Sequence, residues 1–385
     1  MVRRKLSDLV LMLLALPMVL LVRLLRPLVK IRTGGLQSER IGHFAANTEL
    51  YLCERDAGMY GKRAVDLFYH YTPICNQQLR KMWDRTLKVS IIAKWMDRTN
   101  HWLPGGKANL IPKSTYGDRD VLGFLDRTPP HLEFTKEEES AGQAALVNLG
   151  IPGAAEFVCF HSRDSSYLNS TIPENDWTVH DFRNTTSQNY VRMASEMGNR
   201  GYRAVRMGAE VTEKLDADNP MIIDYAANGS RTDFLDIYLS ARCRFFICNT
   251  SGLYAVALIF RRPLLYVNYL PLEHVVTYNR TALFIPKKLW LRKENRFLTF
   301  RETFDSGAGN FHDTIEYEQA GLDVVEDSPE EITAAAIEMD ERLKGTWKTD
   351  EDAEELQKQF WSIFKTSDLH GRIVSRIGTD FLKQN

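Results

Sequence analysis

Apolar residues along this chain form two kinds of run. One is a single leucine-rich stretch near the N-terminus, from Leu9 to Val22. The others are short runs such as Phe157-Val158-Cys159-Phe160 and Leu264-Leu265-Tyr266-Val267, separated by longer segments with helical spacing. Short apolar runs bounded by turn residues read as buried strands, and strands alternating with helices imply a parallel sheet wrapped on both faces. In the first half the pattern predicts a break at Gly34-Gly35, a strand end at 39–44 turning into a helix through Leu52, a strand at 66–70, and a helical stretch from Pro73 through Trp83. Residues 102–127, rich in Gly, Pro and charge, read as loop. Thr135 followed by Glu138 has the spacing of a capping box and opens a helix that ends near Gly150. In the second half, strands are expected at 156–160, 202–207, 222–225, 243–248 and 264–268. Helices are expected at 187–200, at 233–242, and from the Asn249-Thr250-Ser251-Gly252 turn through Phe260, with one or two more from Asp350 onward.

The leucine-rich stretch has its own logic. Arg3, Arg4 and Lys5 precede it, Arg23 and Arg26 follow it, and Pro17 lies inside it. Its uninterrupted apolar part is shorter than the ~20 residues a helix needs to cross a bilayer. Residues 1–32 therefore read as a membrane-surface segment, with leucines in the lipid and arginines at anionic headgroups. A signal peptide would require a small-residue cleavage pattern, which does not follow. A leucine-rich core helix is the other alternative.

A chain of 385 residues exceeds one ordinary core. The expected division is the membrane segment 1–32, an α/β lobe over 35–150, a second α/β lobe over 151–345, and C-terminal helices over 350–385, the two lobes being the acceptor and donor sides in the resemblance described below. Hydrophobic content of 44%, charged content of 26% and a net charge of −1 describe a globular enzyme and exclude a general nucleic-acid binder. The 5 cysteines form no CxxC pair, and Cys159, Cys243 and Cys248 sit in apolar runs. They read as reduced core residues, which places the folded part on the cytoplasmic face of the plasma (inner) membrane. Asn184 and Asn249 begin glycosylation sequons, yet both fall where a ligand cleft is expected, which points the same way.

In an open parallel sheet, ligands bind at the C-terminal ends of the strands. There His161 and Arg163 follow one strand, Arg206 and Gly208 end another, and Arg231 and Asp233 precede a helix. Asn249, Thr250, Ser251 and Gly252 join a strand to a helix through small residues, an arrangement that suits a phosphate and equally suits plain helix capping. Several arginines with such a turn point to a diphosphate, which a guanidinium grips with a bidentate fork. His43, at the first strand-to-helix turn, is the candidate base or acceptor-holding residue. Asp118-Arg119-Asp120 and Asp216-Ala217-Asp218 are formal DxD triplets without a preceding strand, and the histidines show no ligand spacing, so no metal or cofactor is expected. P-loop, GxSxG and GxGxxG motifs are missing.

The series Ile41-Gly42-His43, Phe160-His161-Ser162-Arg163-Asp164, Tyr202 to Gly208, Arg231-Thr232-Asp233-Phe234-Leu235-Asp236, Phe246 to Gly252 and Arg262-Pro263 resembles bacterial glycosyltransferases of surface-polysaccharide loci. More distantly, the second lobe is similar to the fucosyltransferase superfamily. The resemblance implies two Rossmann-like lobes of GT-B type and a metal-independent transfer from a nucleotide-sugar donor. The acceptor would be a surface glycan or a lipid-linked molecule. It would set Arg163 on the donor diphosphate, Thr250-Ser251-Gly252 around the phosphates and Asp233 near the nucleotide, with the C-terminal helices crossing back to the first lobe. Asp164 directly after Arg163 departs from the fucosyltransferase pattern. An epimerase, a pyruvyl transferase and a non-catalytic, membrane-tethered nucleotide-sugar binder are the alternatives.

Overall fold

The computed structural model describes the chain except Met1, Lys62, Arg63, Thr115, Ala154, Ile172, Pro173 and Asp350, and gives only backbone for residues 2–6, 167–168 and 171. Arg3, Arg4 and Lys5, one flank of the leucine stretch, thus lie outside the described side chains. Two compact units result, Met1–Arg119 with Arg127–Phe134, and Asp120–Asp126 with Thr135–Asn385.

The first unit holds α1 (Val2–Leu24), β1 (Lys30–Leu36), α2 (Ile41–Asp56), β2 (Ala64–His70), α3 (Gln77–Thr86) and α4 (Ile91–Trp102). β1 and β2 pair in parallel, and single bridges from Thr33 to Leu110 and from Phe68 to Val89 widen this sheet. Gly34 and Gly35, expected to break the chain, lie inside β1. Glycine is required there by close approach: a Cβ on Gly35 would sit 2.1 Å from the Tyr71 ring, and one on Gly34 2.9 Å from Ile111.

α1 is two-faced. Ala15, Val19 and Val22 are buried with Met96 of α4, and Ile31, Trp95 and Leu103 pack around them. Arg23 donates to the Asn100 side chain (3.2 Å) and the Pro104 carbonyl (2.9 Å), and Arg98 meets Asp8 at 2.7 Å. The other face exposes Leu13, Leu14, Leu20, Leu21 and Leu24. The expected segment 1–32 also overruns its element. β1 begins at Lys30, and Arg32 is buried with its guanidinium on Asp66 at 2.5 and 2.7 Å.

In the second unit, β3 (Phe157–His161), β4 (Arg203–Arg206), β5 (Ile222–Ile223), β6 (Phe246–Cys248), β7 (Leu264–Tyr269), β8 (Ala282–Pro286) and β12 (Arg376–Ile377) form one sheet in the order β12-β8-β7-β6-β3-β4-β5. Every pairing in it is parallel. β9 (Lys288–Leu291), β10 (Arg296–Phe297) and β11 (Leu322–Val325) make a small antiparallel sheet. From β3 the chain builds outward through β4 and β5, then returns to lay β6, β7 and β8 on the other side. The strand order therefore reverses between β3 and β6, the position where open α/β sheets leave a crevice for ligands. The α/β class expected from the pattern is the one observed.

Two expected boundaries move. α5 (Lys136–Asn148), with its Thr135–Glu138 capping box, belongs to the second unit, not to a lobe ending at 150. Its Gly142 faces the buried Tyr238 of the helix Asp233–Arg242, and a Cβ there would lie 2.2 Å from the ring. The C-terminal helices Glu351–Ile363 and Thr379–Gln384 also belong to the second unit. They are tied there by β12 pairing with β8 and by Thr379 donating its backbone N–H to Glu338 at 2.7 Å.

The Tyr238 hydroxyl is itself held by Glu139 at 2.9 Å, so the ring has little room to retreat. Gly142→Ala should therefore lose about 1–3 kcal/mol to overpacking, more than the ~1 kcal/mol it gains in helix propensity. Urea unfolding checks this, and an unchanged midpoint would mean that the ring gives way.

Candidate donor site at the sheet reversal

His161 is the last residue of β3, and Asn249 follows the last residue of β6, so the reversal sets these two strand ends side by side. They are stitched directly: the Arg163 backbone N–H donates to Asn249 Oδ1 at 3.1 Å, and Asn249 Nδ2 donates to the Arg183 carbonyl at 2.8 Å. Asn249 is fully buried. Its amide fixes the loops on both sides, which assigns it a positioning role in this geometry.

Arg163 is 8% exposed. Its Nη1 donates to the His180 carbonyl at 3.2 Å and to the Asn184 side-chain oxygen. No described carboxylate pairs with it, and the neighbouring Asp164 is turned away, accepting from Ser166 N (3.0 Å) and Thr212 N (3.0 Å). Burial, with the nearby charge of Arg183, lowers the Arg163 pKa to about 10, partly offset by the more distant charges of Asp181 and Asp164. A buried guanidinium without a counterion is costly in isolation, and it marks a place for an anion.

Lys287, directly after β8, was not anticipated. It is buried, and its Nζ donates to the Asn184 backbone carbonyl at 2.6 Å. Asn184 thus joins two buried cations, one on its side chain and one on its backbone. Burial pushes the Lys287 ammonium down to about 8, partly offset by Glu326 and Asp327. The signal available in the sequence was slight: a lysine immediately after the apolar run Ala282-Leu283-Phe284-Ile285-Pro286.

His161 adds a neutral group. Its Nδ1 faces the Met207 carbonyl at 2.9 Å, which requires a proton on Nδ1, and burial lowers its pKa. Nε2 is then an acceptor at neutral pH. Gly208, beyond the end of β4, packs close to Val211 and Ala226, and a Cβ there would lie 3.9 Å from His161 Nδ1.

The other expected arginines have partners. Arg206 is buried and donates to the Glu213 carbonyl (2.8 Å) while facing Asp224 at 3.4 Å. Arg231 holds Asp236 at 2.7 Å, with Asp233 at 4.0 Å. Asp236 also accepts from the Tyr225 hydroxyl at 3.0 Å, and burial raises its pKa to about 6. These groups anchor the start of the helix Asp233–Arg242.

The Thr250 and Ser251 hydroxyl oxygens are buried without a hydrogen-bond partner among the described residues. The helix after them, Tyr254–Ile259, spans only 6 residues, and its N-cap Leu253 provides no side-chain cap. The turn was expected to suit a phosphate or a plain helix cap, and so short a helix contributes little field to either. The positive potential here comes from side chains. His43 lies in the first unit, on the first turn of α2, with Nδ1 3.9 Å from the Asp118 carboxylate. The second aspartate of that triplet, Asp120, accepts from Phe124 N and Leu125 N at 2.7 and 2.8 Å.

No family model matches this chain, and no curated protein sequence matches it. Among solved structures, a family 9 glycosyl transferase from Veillonella parvula is similar at a TM-score of 0.45 and 13% identity, covering 81% of this chain and 97% of that one. The ADP-heptose lps heptosyltransferase II of E. coli is similar at 0.38 and 13% identity, covering 65% and 89%. The E. coli heptosyltransferase WaaC with ADP-2-deoxy-2-fluoro heptose is similar at 0.33 and 12%, covering 65% and 91%. The more distant similarity to the fucosyltransferase superfamily finds no support among these structures. At these identities and scores no activity transfers to this chain, and the functional reading rests on its own side chains.

Proposed function

We propose that this chain is a glycosyltransferase of GT-B type whose second unit binds a nucleotide-sugar donor through its diphosphate. The single observation that carries the reading is Arg163, a buried guanidinium without a carboxylate at the reversal of a parallel sheet, joined through Asn184 to the buried Lys287. A diphosphate supplies the charge these cations lack, and the Thr250 and Ser251 hydroxyls are further donors to it. In transfer, the acceptor oxygen bonds to the anomeric carbon while the bond from that carbon to the diphosphate oxygen breaks, and the nucleoside diphosphate leaves with the electron pair. Arginine and lysine stabilise the charge that grows on it, so no metal is invoked for this step.

The acceptor is assigned as a surface glycan or lipid-linked molecule. The exposed leucine face of α1 supports attachment at the membrane surface, and the free cysteines favour catalytic units on the cytoplasmic side. His43 is assigned to the acceptor side, where it would take the proton. His43→Ala should lower kcat while leaving donor affinity unchanged, and a weaker donor Kd with normal kcat would remove it from that role.

The first experiment is a thermal-shift screen of the full chain against UDP, GDP, CMP, dTDP and ADP sugars, followed by product analysis with the labelled hit. Transfer of label to a glycan or lipid supports the reading. A donor converted without transfer indicates an epimerase, and binding without turnover indicates a non-catalytic binder.

Replacing the exposed Leu13, Leu14, Leu20 and Leu21 by Gln, which leaves Ala15, Val19 and Val22 packed, should release the protein from membranes and preserve turnover on a soluble acceptor. Fractionation and assay check this, and a protein that stays membrane-bound would place the attachment elsewhere.

A further inference from the structure

In the first unit, α2 carries Glu49, Cys53 and Asp56 on one side, and the segment Arg127–Phe134 brings His131 against them. Glu49 and Cys53 are fully buried. One ligand atom from each of Glu49, Cys53 and His131 lies within 4.8 Å of the others. His131 Nδ1 is 3.1 Å from Glu49 Oε1, and Cys53 Sγ is 4.0 Å from the same oxygen. A tetrahedron around an ion bound at about 2.0–2.3 Å has edges of roughly 3.3–3.8 Å, so these separations need shifts of a few tenths of an ångström to close on one.

The orientation of the imidazole supplies a second observation. His131 Nε2 faces the Asp56 carboxylate at 3.1 Å in hydrogen-bonding geometry. A proton on Nε2 satisfies Asp56 and leaves a lone pair on Nδ1. That atom is buried 3.1 Å from Glu49 Oε1, a distance that a proton on Nδ1 would make an ion pair and that a cation between the two atoms would also fit. Either a second proton on Nδ1 or a bound cation must stand between the two atoms, and the thiol of Cys53 beside them favours the cation. A carboxylate fixing the tautomer of a histidine whose other nitrogen meets a metal is the ordinary outer arrangement of a zinc site.

We propose that Glu49, Cys53 and His131 bind one divalent cation of the zinc class, with Asp56 as the positioning residue for His131. The thiolate, imidazole and carboxylate set selects a borderline or soft ion over magnesium or calcium. Bound there, the ion would clamp Arg127–Phe134 onto α2, a structural role separate from donor chemistry and independent of the function proposed above. The linear sequence hid the set, because Glu49 and Cys53 are a helical i, i+4 pair and His131 joins only through tertiary structure.

The test uses the full chain, stripped with chelator, kept reduced and titrated with cobalt(II). One equivalent should bind with a thiolate-to-cobalt charge-transfer absorption, zinc should displace it, and zinc but not magnesium should raise the thermal midpoint. Cys53→Ser should lose the charge-transfer band. Asp56→Asn should keep the band and weaken cobalt affinity about 10–100-fold. If the reduced parental protein shows no charge-transfer band, the site is overturned and the cluster is a protonated His131 held between Glu49 and Asp56. The parental spectrum decides this even if a variant fails to fold.

Discussion

Arg163→Met should abolish measurable nucleoside-diphosphate binding while leaving the thermal midpoint of the ligand-free protein unchanged or raised. The two effects have one cause. In the ligand-free protein the guanidinium is buried, carries its charge without a carboxylate, and is lowered to about 10 by that environment. Methionine fills the space of the stem, removes a charge that no carboxylate pairs with directly and forfeits the bonds to the His180 carbonyl and Asn184. Replacing a poorly compensated buried charge by an apolar side chain of similar volume is commonly neutral or stabilising. Losing two charge-assisted hydrogen bonds to the anion, each about 1.5–3 kcal/mol, weakens binding by roughly 100-fold or more. Arg163→Lys should fall between, because a point charge replaces the planar fork. Calorimetric titration with the nucleotide found by screening, beside a thermal melt, gives both readings. Parental affinity in Arg163→Met would end the assignment, and a large fall in midpoint with affinity retained would make Arg163 a structural residue.

Lys287 leads to a second result, a proton taken up when the anion binds. Its folded pKa is about 8 against an ordinary 10.5, because burial disfavours the ammonium. Between those values the unfolded chain carries a proton that the folded chain lacks. Stability from this group therefore rises with pH across that window, and the penalty is fully present below about 8. A diphosphate beside Lys287 restores the charged form and raises the folded pKa. Binding near pH 8.5 should then take up a proton, and affinity should tighten as pH falls through 8. Calorimetry in two buffers of different ionisation enthalpy measures the uptake. Lys287→Met should bind about tenfold more weakly or worse, with an enthalpy independent of buffer. The same buffer independence in the parental protein would place the anion away from Lys287.

How legible the molecule was depends on which residues are considered. β3, β6 and β7 are short apolar runs between turn residues, so periodicity located the strand ends and with them His161, Arg163 and Asn249. β1 was lost because two of its residues are glycines, required by neighbours that come from distant segments. Arg163, Arg206 and Arg231 look equivalent along the chain. Only the fold places Asp224 on one and Asp236 on another, and leaves the third without a carboxylate. Lys287 resembles half of a solvated lysine pair with Lys288 until the fold buries it against the Asn184 carbonyl. α5 was assigned to the wrong unit because its capping box fixes where a helix starts and says nothing about what it packs on.

The seating of α1 has a consequence for reach. A flexible tether lets an enzyme wander over a hemisphere set by linker length, diluting it relative to any one molecule in the bilayer. Here only residues 25–29 separate α1 from β1, and Arg23 and Val22 bind α1 to its own unit. With the leucine face in lipid, the first unit would ride at one height and one tilt above the surface. Such an enzyme would search in two dimensions with a fixed working distance. Acceptors would then be discriminated by how far their reactive hydroxyl stands from the bilayer, so lengthening the spacer of a synthetic lipid acceptor should give a sharp optimum where a loosely tethered enzyme would give a plateau.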